Sequence, residues 1–102
     1  MQWIKAGAAA SLPDGESMTV AAGRRMIMLV HSAGEYFAIE DVCTHDGAEL
    51  TGGEIEGAQI ICPRHGARFC LRTGEALTPP AYEPVRVFAT RIDDGRLWIR
   101  AD

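Results

Sequence analysis

Cys43-Thr44-His45-Asp46-Gly47-Ala48 and Cys62-Pro63-Arg64-His65-Gly66-Ala67 are the two stretches on which the reading of this chain turns. Each brings one thiol and one imidazole, spaced Cys-x-His in the first and Cys-x-x-His in the second. Sixteen residues, Asp46 to Ile61, separate the two pairs. That insert is long enough for one β-hairpin with Glu56-Gly57-Ala58 near its tip. A hairpin brings its two ends together, and here it would bring the two pairs together.

Two thiolates and two imidazoles can serve one metal object in two ways. The first is a closed tetrahedral zinc site. The second is a [2Fe–2S] cluster with the two thiolates on one iron and the two imidazoles on the other. Zinc modules usually group Cys with Cys and His with His, as C-x₂₋₄-C and H-x₃₋₅-H. Here each stretch supplies one of each. That suits a two-iron object with a sulfur end and a nitrogen end, gripped from both sides.

The rest of the chain bounds the possibilities. With 102 residues it has the length of one domain, 1–102, with the cluster-binding part at about 42–80. Hydrophobic residues at 47 % argue for a packed core rather than disorder. Ten Lys plus Arg against fourteen Asp plus Glu give −4, and no basic stripe is present, so nucleic acid is not the expected partner. The purest apolar run, Met26-Ile27-Met28-Leu29-Val30, is far short of the roughly 20 residues that cross a membrane. The first residues lack a basic region followed by an apolar one, so no signal peptide is expected and the cytoplasm is the default. Three cysteines are too few and odd in number for a disulfide framework.

Short apolar runs punctuated by turn residues predict an all-β fold. Candidate strands are Met18-Thr19-Val20, Met26 to His31, Tyr36-Phe37-Ala38-Ile39, Ile60-Ile61, Phe69, Val85-Arg86-Val87 and Leu97-Trp98-Ile99. Ser32-Ala33-Gly34-Glu35 and Asp93-Asp94-Gly95 read as hairpin turns. Ala6-Gly7-Ala8-Ala9-Ala10 reads as a loop or short turn beneath the first strand. No window shows sustained helical periodicity. Trp3, Trp98, Phe37 and Phe88 are expected in the core. His31 reads as a satisfied or surface histidine, and Cys70 as a small buried residue. Asp41 and Asp46 read as solvated loop residues, and Arg24-Arg25 as an exposed turn.

The double motif resembles the Rieske ferredoxin family. Pro63, Gly66, Phe69 and Thr73-Gly74 stand in family-like places, and the likeness covers essentially the whole chain. The resemblance implies an antiparallel β-sandwich with a small cluster-binding subdomain of two loops at one end. It implies one Rieske-type [2Fe–2S] cluster, with Cys43 and Cys62 holding the inner iron and His45 and His65 the outer iron. Gly47 and Gly66 would let the loops turn around the cluster, and Pro79-Pro80 would form a third loop covering one side.

Departures from the family pattern narrow the type. High-potential Rieske proteins carry two further cysteines that bridge the cluster loops, where this chain has Ala48 and Arg64. They also tend to have hydroxyls donating to the cluster sulfurs, where this chain has Ala67 and Phe69. Hydrogen bonds to the sulfurs stabilise the added electron. Their lack predicts a potential at the low end of the Rieske range, which runs from roughly −150 to +300 mV.

The resemblance therefore implies an electron carrier with no catalytic residues of its own. It would pass single electrons from an NAD(P)H-dependent reductase to a terminal non-haem iron oxygenase of the aromatic ring-hydroxylating kind. Service to another redox system is the alternative: an oxygenase linked to iron–sulfur assembly, or a nitrite reductase as its small subunit. A carrier that meets two proteins in turn is expected to be a monomer. In the oxidised state the cluster's two positive charges cancel those of the thiolates, so the formal −4 becomes one unit more negative on reduction. A basic partner could steer such a carrier. Asp46 and Glu49 beside Arg64, Arg68 and Arg72 predict a rim of mixed sign.

Overall fold

The computed structural model describes residues 3–44, 47–64 and 66–100. Nine strands follow one another: β1 (Trp3–Ala8), β2 (Glu16–Ala22), β3 (Arg25–Ser32), β4 (Glu35–Glu40), β5 (Ile55–Glu56), β6 (Gln59–Ile61), β7 (Arg68–Cys70), β8 (Val87–Asp93) and β9 (Arg96–Arg100). Among the described residues the one helical element is a single 3₁₀ turn, Ala9–Ser11. Six strands form one sheet in the order β1-β9-β8-β4-β3-β2, and β5-β6-β7 form a smaller one. All the strand pairings are antiparallel.

The run Met26 to Val30 explains how the layers stack. Side chains alternate across a strand, so an unbroken apolar run has to be covered on both faces. Ile27 and Leu29 enter one core with Ala38, Leu97 and Ile99. Met28 and Val30 enter a second core with Phe37, Ile39, Ile60, Phe69 and Leu71. All four of these β3 residues are fully buried. Burying each such side chain contributes about 1.5–3 kcal/mol.

The first core lies between the β1-β9-β8 half of the large sheet and its β4-β3-β2 half. The halves can face each other because they are joined by only two residue pairs, Ala38↔Phe88 and Ile39↔Val87. The second core lies between the other face of β3-β4 and the smaller sheet with its loops. The molecule is thus layered, with β2-β3-β4 in the middle.

The two expected hairpin turns are present, with Ala33-Gly34 and Asp94-Gly95 all at positive φ, the conformation that two-residue hairpins favour. Strand β8 begins at Val87, two residues later than the Val85 start expected. Val85 instead donates its N–H to Gly74 O, and Arg86 O accepts from Glu40 N–H, both at 2.8 Å. The Ala-rich segment is a short turn only at Ala9 and Ala10, which open the 3₁₀ turn. Ala6, Gly7 and Ala8 belong to β1, whose register shifts between Lys5 and Gly7 where it pairs with β9. Small residues masked the strand period there.

The tryptophans are not core residues. Leu97 and Ile99 point inward, so Trp98 faces outward, and Trp3 lies opposite Arg100 on the same outer face. Phe37 is buried and Phe88 packs at the edge of the first core. His31 is satisfied: its Nδ1 is 2.8 Å from Leu12 O, and its ring stacks on Tyr36 at 4.0 Å. No described helix is long and apolar enough to cross a membrane.

Candidate metal centre

The first loop leaves β4 and runs through Cys43, and the second joins β6 to β7 through Cys62. The β5-β6 hairpin connects them, with Glu56 paired to Gln59. Both cysteines fall in the same buried core, at 0 % and 1 % exposure, with Ala67, Phe69 and Ala81. Neither is in a disulfide, nor is Cys70. His45, Asp46 and His65 lie outside the described residues.

The two loops repeat one backbone pattern. Cys43 N–H donates to Ala48 O at 2.6 Å, and Gly47 N–H donates to Cys43 O at 2.7 Å. In the second loop, Cys62 N–H donates to Ala67 O at 2.7 Å and Gly66 N–H to Cys62 O at 3.0 Å. The glycines match too, with φ of 78° and 77°. A Cβ at either position would meet no atom within 4 Å. The requirement for glycine is thus the left-handed backbone rather than lack of space.

What holds the loops differs. The second is flanked by the Ile61↔Arg68 pair of the small sheet. The first has no such ladder and is closed by Asp41. This carboxylate is only 6 % exposed. It accepts from the N–H groups of Leu50 (2.7 Å) and Thr51 (3.0 Å) and from the hydroxyls of Thr51 (2.6 Å) and Thr19 (3.0 Å). Asp41 is therefore a buried clamp, not the solvated residue expected. A fully hydrogen-bonded carboxylate can be buried because its lone pairs are met. Its backbone donors lie nine and ten residues on, a spacing too long for a local turn rule, so the sequence carried no signal for it.

The proline-rich segment packs beside the first loop. Thr44 Oγ1 donates to Glu83 O at 2.7 Å, and Ala81 shares the core with both cysteines. The Pro79–Pro80 bond is cis. Arg68 N–H donates to Thr78 Oγ1 at 2.9 Å, tying β7 to the same segment.

Two arginines of the expected mixed rim, Arg68 and Arg72, are paired with carboxylates. Arg68 meets Glu56 at 2.8 Å, and Arg72 makes a two-pronged bond to Glu35 at 2.6 and 2.5 Å. The Arg72 guanidinium, mainly by hydrogen bonding, holds the Glu35 carboxyl below the usual carboxylate range. Cys70 is half-buried at the end of β7 and is not a core residue. The Thr73 hydroxyl hydrogen-bonds its sulfur and pushes the thiol pKa down, with smaller backbone contributions from Thr73 and Arg72.

Two buried, unbridged thiols at matching points of two matching loops form a cradle that fits a metal cluster and has no use in a disulfide. Residues 2–89 match the Rieske [2Fe–2S] domain, and the chain belongs to that family. It carries a Rieske-type [2Fe–2S] cluster. The 3-phenylpropionate/cinnamic acid dioxygenase ferredoxin subunit of Photorhabdus laumondii is 42 % identical over 89 residues, spanning 86 % of this chain and 84 % of that one. Its Escherichia coli K12 counterpart is 36 % identical over 100 residues, spanning 97 % and 93 %. Among solved structures, a chain from the complex of reduced oxygenase and oxidised ferredoxin in carbazole 1,9a-dioxygenase superposes with a TM-score of 0.90. It is 31 % identical, with 95 % of this chain and 91 % of that one covered.

Proposed function

We propose that Cys43 and Cys62 bind one iron of the cluster as thiolates, that His45 and His65 bind the other, and that the chain is the ferredoxin of a multicomponent oxygenase. In this reading it takes single electrons from an NAD(P)H-dependent reductase and gives them to a terminal aromatic ring-hydroxylating oxygenase. The cluster supplies one-electron redox chemistry when bound. The observation that carries the reading is the pair of congruent loops, each delivering one buried thiol to the same place. The names of the 42 % and 36 % identical relatives support the client class.

The chain's own residues do the positioning. Gly47 and Gly66 set the turn of each loop, and Asp41 closes the first loop onto β2 through Thr19. Ala67 and Phe69 are fully buried and offer no hydroxyl, which supports a potential toward the low end of the Rieske range. Residues 42–80 are the cluster-binding part. Beside it Tyr82 is 81 % exposed and Leu77 is also exposed. Exposed apolar side chains of this kind suit a transient protein contact. The carrier works as a cytoplasmic monomer.

Reconstitution tests the reading. The purified protein should restore NADH-driven turnover to a 3-phenylpropionate dioxygenase supplied with its reductase but lacking its ferredoxin. His45→Ala and His65→Ala should each abolish that turnover. Full turnover by either variant would refute the ligand set, and no turnover with the native protein would refute the client.

A further inference from the structure

Among the described residues Asp41 is the one buried Asp, Glu, Lys or Arg. Its partners are all neutral. Oδ1 accepts from the N–H groups of Leu50 and Thr51, and Oδ2 from the hydroxyls of Thr51 and Thr19. No described Lys or Arg forms an ion pair with it. A negative charge is therefore held inside the protein with neither a counter-ion nor bulk water to cancel it.

That charge lies close to the cysteine loops. Cys43 follows two residues on, and two residues span at most about 7 Å of backbone. Leu50, whose N–H is 2.7 Å from Oδ1, is buried in the core that contains Cys43 and Cys62. The second loop has no counterpart, since Ile60 stands two residues before Cys62.

Closing the first loop does not by itself call for a charge. An amide has the same shape as the carboxylate. Its oxygen could accept from both N–H groups, and its nitrogen could donate to both hydroxyls. Burying a charge costs more than burying an amide. What the carboxylate adds over an amide is its electric field.

We propose that Asp41 sets the reduction potential: its negative charge opposes entry of the electron and holds the potential of the cluster down. The proposal rests on the cluster reading. Reduction makes the molecule one unit more negative, and like charges repel more strongly in the interior than across solvent. The effect adds to that of the missing hydroxyls at Ala67 and Phe69, and it acts from the other arm of the cradle.

Redox titration of the iron-loaded protein, followed by visible absorption at constant neutral pH, tests this. Asp41→Asn should shift the midpoint to higher potential, and the shift should persist in about 1 M salt, which screens exposed charges. Glu49 is an exposed carboxylate on the same loop segment. Glu49→Gln should give a smaller shift that the salt removes. Thr51→Val keeps the charge and strips one hydroxyl from it, so it should shift the midpoint the opposite way, to lower potential. A residue that only propped the loop would give shifts of one sign, because both variants loosen the same clamp. The proposal is overturned by a native or lowered potential in iron-loaded Asp41→Asn, by a shift that salt abolishes, or by an unchanged or raised potential in Thr51→Val. The Thr51→Val result decides alone if Asp41→Asn takes up no cluster. Native protein that held no iron would instead refute the cluster reading, and the proposal with it.

Discussion

The two cysteine loops share their hydrogen bonds and their glycine conformation, yet they are held by different means. The second is a hairpin loop clipped by the β6-β7 ladder. The first has no ladder across it, and a buried carboxylate takes the ladder's place. Identical local geometry therefore does not need identical support. A cradle with two equal arms can rest on backbone pairing in one arm and on a side chain in the other, and only the second kind can be removed by one substitution.

The comparison can be broken where the arms are equal and sharpened where they differ. The largest effect is expected from Cys43→Ser and Cys62→Ser, which should abolish cluster absorption to the same degree because the two thiols are equivalently buried. Next comes Asp41→Ala. It strands two N–H groups and two hydroxyls, and should cost about 3 kcal/mol, read from denaturant unfolding of the holo-protein. Thr78→Val, which removes the acceptor for Arg68 N–H beside the second arm, should cost only about 1 kcal/mol. A cost for Thr78→Val equal to that for Asp41→Ala would show that the arms are not supported differently.

Gly47→Ala and Gly66→Ala should each cost about 1 kcal/mol, since an L-residue at those φ values is strained although space is open. Unequal costs would mean that the loops are less alike than their backbones. The smallest effect is expected from the exposed Glu35–Arg72 pair, which links the β3-β4 hairpin to the segment after β7. The folded-state pKa of Glu35 is depressed by Arg72. The pair's contribution is therefore present above the unfolded carboxylate pKa and lost as pH falls through the depressed folded value. Native protein should be slightly more stable than Arg72→Gln at neutral pH, and the difference should vanish in acid. A difference that persisted through acid titration would assign the effect to Arg72 packing on Phe37, 5.5 Å away.

Much of the molecule was legible in the sequence. Strand runs, both two-residue turns and the β5-β6 hairpin follow from local patterning, and the cysteine loops follow from motif spacing. Asp41 was not legible, because its partners are on β2 and beyond the first loop, and only the folded chain brings them together. The tryptophans misled because size suggests burial, while β-strand alternation places them opposite Leu97 and Ile99. The unbroken Met26–Val30 run indicated a strand covered on both faces, which holds from Ile27 to Val30 but not at the exposed Met26, and it did not indicate that the two faces would build two separate cores.

The most direct test of the central claim is electron paramagnetic resonance on anaerobically purified, dithionite-reduced protein labelled with ¹⁵N-histidine, with iron and zinc counted on the same sample. The account predicts about two irons per chain, a rhombic signal of low average g, and nitrogen couplings from two histidines that drop to one in His45→Ala or His65→Ala. One zinc per chain in a colourless protein without a signal, or couplings unchanged in both variants, would contradict it.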